Sequence, residues 1–194
     1  MSIIRNFWTL VHHGYHRLKR FMPASWRSFL LKVEPLSRYF LFRVAGKALA
    51  PSEMIIDLIN LCNLNCPLCP TGKGKLDFPQ CSMKFEQFQS VVDQVVMDFP
   101  FLKTVHLFNW GEPFLHPDVF KMIKYLKQKG FYILADTNFS FKKDPDFFAA
   151  MVDCGLDVLN ISIDGASRET YSKYRLGGDY QLVTANLERL LKTR

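Results

Sequence analysis

Residues 60–70 read Asn-Leu-Cys-Asn-Leu-Asn-Cys-Pro-Leu-Cys-Pro, which places Cys62, Cys66 and Cys69 within eight residues. Three thiolates on one short loop are soft ligands, suited to zinc or to an iron–sulfur cluster. A closed tetrahedral site wants a fourth ligand, and zinc sites usually present their ligands in paired spacings. Beyond the loop only His106, His116, Cys81 and Cys154 remain to supply one. The spacing Cys-x3-Cys-x2-Cys therefore points to a metal centre with one position open. The competing reading is a zinc knuckle or electron-transfer cluster completed by a distant ligand.

Outward from this loop the chain alternates between two periodicities. Residues 54–59 are a short apolar run that ends just before the cysteines and reads as a strand. Phe85, Phe88, Val91, Val92, Val95 and Phe99 keep helical spacing. Residues 104–108 read as the second strand. A helix is then expected to open with Pro117 at its first position and to close at Gly130. Residues 131–135 form the third expected strand, and Asp144-Pro145 caps a helix that stops at Gly155. Residues 157–163 form the fourth, followed by a helix over about 180–192 on Leu182, Val183, Leu187, Leu190 and Leu191. Four β-then-α units in series predict a parallel sheet with helices outside. Right-handed crossovers curve such an array into a partial (β/α) barrel, since four strands cannot close one.

In sheets of this kind, ligands sit outside the carboxyl ends of the strands. The first strand ends at the cysteines and the second at residues 109–113, Asn-Trp-Gly-Glu-Pro. The third ends at residues 136–138, Asp-Thr-Asn, and the fourth at Asp164-Gly165. Every polar or metal-binding cluster thus falls on one rim, and that rim is the expected site.

With these residues assembled, the chain resembles the radical S-adenosylmethionine (radical SAM) superfamily over roughly residues 52–192. The resemblance rests on the cysteine spacing directly after a strand and on Gly111-Glu112-Pro113, which matches the end of the family's GGE element. It also rests on residues 160–165, Asn-Ile-Ser-Ile-Asp-Gly, and on Arg175 within Tyr-Arg-Leu-Gly-Gly at 174–178. It implies a barrel of six βα units, of which four are present. Cys62, Cys66 and Cys69 would hold three irons of a 4Fe–4S cluster. The amino and carboxylate groups of S-adenosylmethionine would chelate the fourth. Reductive cleavage then gives a 5′-deoxyadenosyl radical that takes hydrogen from an unknown substrate, with electrons from an external donor of the flavodoxin or ferredoxin type.

The same resemblance assigns backbone at Gly111 and Glu112 to the methionine ammonium, with Ser162 and Asp164 near the ribose and methionine end. It pairs Arg175 with the methionine carboxylate, for which a guanidinium fork is the natural partner. Residues 66–72, Cys-Pro-Leu-Cys-Pro-Thr-Gly, are similar to the branch that often carries a C-terminal auxiliary-cluster (SPASM-type) domain. That branch includes maturases of peptides and cofactors. Three positions depart from the pattern. Leu68 replaces a usual aromatic residue, Trp110 replaces the first Gly of the second-strand element, and Phe139 follows Asn138 where Gly is frequent. The strands that finish the family's adenine pocket are absent, so the sequence reads as a truncated product. The alternative expectation is a truncated, catalytically inactive iron–sulfur or zinc-binding fragment; if the chain binds a cluster, it is expected to turn over S-adenosylmethionine poorly by itself.

Composition bounds the rest. At 194 residues and 48% hydrophobic, the chain supports one main domain. Five cysteines are too few for a disulfide scaffold and suit a reduced compartment. With no signal-peptide pattern, a cytoplasmic location is expected. Residues 1–50 carry nine Lys/Arg against the single acid Glu34, a balance of +8, while the remainder is near −1. A boundary near Pro51 follows. Ile4, Phe7, Trp8, Val11, Tyr15 and Leu18 recur at helical spacing among basic residues. Such an extension suits peripheral contact with an anionic membrane, or packing on the main domain. Nucleic acid is not an expected partner, because a charge run without a recognisable fold is weak ground for it.

Overall fold

Four short, apolar-rich strands pair into a single parallel sheet. The structure, a computed structural model, describes residues 51–194 apart from Leu76, Phe78 and Phe101. The basic extension expected over residues 1–50 lies outside the described residues. The described chain runs β1 (Glu53–Ile55), α1 (Phe85–Asp98), β2 (Thr104–Leu107), a 3-10 turn (Pro113–Leu115) and α2 (Val119–Gln128). It continues with β3 (Tyr132–Thr137), α3 (Pro145–Asp153), β4 (Val158–Ile161), α4 (Arg168–Tyr174) and α5 (Tyr180–Thr193). The strand order is β1-β2-β3-β4 with every pair parallel, as four serial βα units require.

Period-two alternation divides the sheet into two faces. Val105 and Leu107 of β2 and Ile133 and Ala135 of β3 are buried with the helices. Against them pack Phe88 and Val92 of α1, Met122, Ile123 and Leu126 of α2, Phe148 of α3 and Val183 of α5. Each such side chain, fully buried, contributes about 1.5–3 kcal/mol of transfer free energy. The opposite face carries His106, Asp136 and Asn160, joined across neighbouring strands by a 2.8 Å hydrogen bond from Asn160 Nδ2 to Asp136 Oδ1. His106 Nε2 meets Glu53 Oε2 at 3.1 Å.

The boundaries follow from local chemistry. Asp144 caps α3 as expected, its side chain accepting from Phe147 N at 2.9 Å, with Pro145 in the first turn. Pro117 does not open α2. The chain first makes the 3-10 turn, Asp118 is the N-cap and the helix begins at Val119. His116 explains the offset: its Nδ1 accepts from Asp118 N at 3.0 Å and its Nε2 meets Met83 O at 2.9 Å, which fixes the approach to the helix. The first strand is shorter than the apolar run at 54–59. Beyond Ile55 the chain keeps one bond from Ile56 N to His106 O, then turns so that Ile59 bridges Ser82 in antiparallel sense. The short helix α4 was not legible as an apolar stripe. It is set by a Ser167–Thr170 capping box and by the fully buried Tyr171.

Among the described residues, no helix is long and apolar enough to cross a membrane.

Candidate functional site

The cysteine loop is wound by its own backbone. Cys69 N donates to Cys66 O at 3.2 Å, Lys73 N to Cys69 O at 3.0 Å and Gly74 N to Thr71 O at 3.1 Å. Gly72 permits the winding, because a Cβ there would stand 2.5 Å from Cys66 N and 2.7 Å from Cys66 O. Cys66 is buried, Cys62 and Cys69 are half-buried, and the neighbouring Leu68 is 74% exposed. Asn65 N donates to Leu176 O at 2.8 Å and ties this loop to the segment after α4.

The loop after β2 lies directly against the cysteine loop. A Cβ on Gly111 would stand 1.7 Å from Ile59 O, so only glycine allows the two backbones to meet. Glu112 N donates to Leu61 O at 2.8 Å, Thr71 Oγ1 to Trp110 O at 2.5 Å and Trp110 N to Asp57 Oδ1 at 3.1 Å.

The Glu112 side chain turns inward and is 2% exposed. Its Oε1 accepts from Thr137 Oγ1 at 2.8 Å and Phe114 N at 3.2 Å, and its Oε2 accepts from Asn138 N at 2.7 Å. The carboxylate therefore joins the second-strand loop to the end of β3. Burial pushes the Glu112 carboxyl up to about 7 from an ordinary 4.5, against those donors, which favour the ionised form. The folded state thus binds this proton more tightly than the unfolded chain. The resulting stability is complete below about 4.5 and is lost as pH rises through about 7. Unfolding free energies from urea titrations should fall across that window by an amount on the order of 3 kcal/mol through this group, and Glu112→Gln should show a correspondingly smaller fall. A flat wild-type profile would contradict this burial.

At the end of β3, Asn138 Nδ2 lies 3.6 Å from Cys62 Sγ and 2.9 Å from Asn63 Oδ1. Phe139 adopts φ +56, so the left-handed turn that glycine would favour is kept by a buried phenylalanine. Thr137 Oγ1 accepts from Phe139 N at 3.0 Å, and Asn186 Nδ2 donates to Phe139 O and Phe141 O at 3.0 and 2.9 Å. Packing and these bonds outweigh the local preference against that φ.

After β4, Ser162 N donates to Thr137 O at 2.9 Å. Asp164 adopts φ +51 and forms an ion pair with Arg175. The Arg175 side chain is 17% exposed, and its second terminal nitrogen lies 3.9 Å from Cys66 Sγ. Its Nε is buried and has no partner among the described residues. The sequence-expected residues Cys66, Asp164 and Arg175 thus meet on one rim, beside Cys62 and Glu112. Gly111 and Ser162 contribute through their backbones.

The remaining candidate ligands lie elsewhere or are engaged. Both His116 ring nitrogens are occupied, and His106 pairs with Glu53. Cys154 is buried, donating to Met151 O at 3.1 Å. Exposed Cys81 exchanges bonds with Asn60, through its N–H to Asn60 Oδ1 at 2.7 Å and its carbonyl to Asn60 N at 3.1 Å. Burial is the main cause that raises the Cys62 thiol above its ordinary value, opposed by the Leu64 N–H and the Asn138 amide. Among the described residues, no three His, Cys, Asp or Glu side chains are already gathered around a common point. What is built is the loop backbone and its supports. Of these, Asn138, Asn63 and Gly72 had no assigned role in the sequence reading; the polar strand end at 136–138 was the one signal for Asn138.

A family model described as Radical SAM superfamily matches residues 56–194. The AdoMet-dependent heme synthase of Methanosarcina barkeri is 28% identical over 144 residues, covering 74% of this chain and 40% of that protein. Mycofactocin maturase MftC of Mycobacterium ulcerans is 26% identical over 141 residues, covering 73% of this chain and 37% of that protein. Among solved structures, Streptococcus suis SuiB bound to S-adenosylmethionine aligns with TM-score 0.63 at 12% identity, over 98% of this chain and 44% of that one. The anSMEcpe structure with bound AdoMet and Cp18Cys peptide aligns with TM-score 0.56 at 22% identity, over 74% and 40%. At these identities the structural matches show a shared fold. The chain spans 40% or less of the length of the curated relatives it matches here.

Proposed function

Because the chain belongs to the radical SAM superfamily, whose members include maturases and cyclases, we propose that it binds a 4Fe–4S cluster and S-adenosylmethionine. The observation that carries this reading is the rim itself. One guanidinium, Arg175, reaches both the Cys66 sulfur and the Asp164 carboxylate, while Gly111 brings the second-strand loop against the cysteine loop. The donor set fits the group: three soft sulfurs on a loop already closed by its backbone, with N–H donors aimed at two of them.

When bound, the cluster would supply the one-electron reduction by which S-adenosylmethionine is cleaved. The chain's own residues bind and orient. Cys62, Cys66 and Cys69 hold irons. Carbonyls of the loop at Gly111 and Glu112 accept from the methionine ammonium, which has three donors to satisfy. Arg175 would take the methionine carboxylate with its fork. Ser162 and Asp164 would lie toward the ribose and methionine end. An external one-electron donor supplies the reductant. The substrate is proposed to be a peptide or a cofactor precursor, by similarity to relatives named as a heme synthase and a mycofactocin maturase.

Arg175→Leu should weaken S-adenosylmethionine binding to the anaerobically reconstituted protein at least tenfold, about 1.4 kcal/mol, by equilibrium dialysis. Binding unaltered by this change would remove Arg175 from the nucleotide site.

A further inference from the structure

We propose that Asn138 sets the electron affinity of the centre held by Cys62, by donating an N–H···S hydrogen bond to the Cys62 sulfur. The inference rests on the reading of the site given above. It begins with the orientation of one amide. Asn138 Oδ1 accepts from Ser140 N at 2.8 Å, and a backbone N–H can only donate. The other end of the amide is therefore Nδ2, and its two protons have two acceptors: Asn63 Oδ1 at 2.9 Å and Cys62 Sγ at 3.6 Å.

The side chain has little freedom to turn away. Asn138 is 5% exposed, and its own N–H is fixed to Glu112 Oε2 at 2.7 Å. Asn63 is anchored in turn, its Nδ2 donating to Ser140 O at 2.6 Å. The buried carboxylate of Glu112 thus positions the backbone of Asn138, and that backbone aims the amide at the sulfur. The arrangement joins the ends of β2 and β3 to the first cysteine of the loop.

A donor at a ligating sulfur favours the state with more negative charge. Hydrogen bonds to cluster sulfurs therefore raise the reduction potential. Arg175 stands near Cys66 in a comparable way, but it is also assigned to the nucleotide carboxylate. Asn138 has no assignment to the nucleotide, so its replacement leaves the carboxylate contact in place. It acts through Cys62 and is a positioning residue.

The test is a redox titration of the anaerobically reconstituted full chain, followed by electron paramagnetic resonance, with iron content measured on the same samples. Asn138→Asp is nearly isosteric and keeps an acceptor for Ser140 N, but replaces the donor with an anion. Asn138→Ala removes the contact altogether. Both variants should retain wild-type iron and accept the electron at least tenfold less readily. That is a downward shift of about 59 mV for a one-electron couple, larger for Asp than for Ala. An unchanged potential with iron retained overturns the proposal. Loss of iron from both variants also overturns it, because Asn138 would then only hold the loop together. If wild type takes up no cluster, the parent reading of the site fails first, and iron content separates that case from the others.

Discussion

Gly111→Ala is expected to destabilise the chain by about 3 kcal/mol or more and to prevent assembly of the rim. The added Cβ would stand 1.7 Å from Ile59 O and 2.7 Å from Ile59 C, and both are backbone atoms that no rotamer change can move. Relief would require the segment between β1 and Cys62 to shift away from the second-strand loop. That shift would also break the 2.8 Å bond from Glu112 N to Leu61 O and loosen the approach to the buried Glu112 carboxylate. Gly74 supplies the control. It has φ +60 but nothing within 4 Å of an added Cβ, so Gly74→Ala should cost only about 1 kcal/mol. Denaturant midpoints of the two variants should therefore differ clearly. Equal, small losses would mean that the two loops are not in contact.

The second large effect concerns the thiols. Cys62→Ala, Cys66→Ala and Cys69→Ala should each lose the iron–sulfur absorbance after anaerobic reconstitution with iron and sulfide. Each removes one of three proposed ligands, and among the described residues no substitute group is gathered there. Among the described residues, both ring nitrogens of His116 are engaged, and the Cys154 sulfur is buried against Met151 O. Cys81→Ala and Cys154→Ala should retain the absorbance. Cys81 is joined to Asn60 through its backbone, which alanine preserves. Retention of a full cluster in any of the first three variants would show that the corresponding sulfur is not a ligand.

The residues show why some of this was legible in the sequence and some was not. Strand and helix order could be read because residues 104–108 and 131–135 are short apolar-rich runs, while Phe88 and Val92 keep helical spacing. Asp144-Pro145 marked a helix start because a cap and a fixed φ act within four residues. Pro117 misled because the start of α2 is set by His116, whose ring reaches Met83 more than thirty residues away. The three cysteines, Asp164 and Arg175 could be named from local motifs. Their meeting could not be derived from spacing, since Arg175 reaches Cys66 across 109 positions. The inward turn of Glu112 was equally hidden, because Thr137, Asn138 and Phe114 become its donors only when β2 and β3 are paired. Phe139 shows the reverse case: it stands where Gly is frequent, and tertiary packing holds phenylalanine at a positive φ.

The central claim is that three cysteines hold a cluster whose remaining iron is left for S-adenosylmethionine. Its most direct test is electron paramagnetic resonance of the reduced, reconstituted wild-type chain, recorded before and after addition of S-adenosylmethionine. A 4Fe–4S signal that changes on addition is the predicted result. A signal unaltered by the nucleotide, or stoichiometric zinc with no iron–sulfur absorbance, would contradict it.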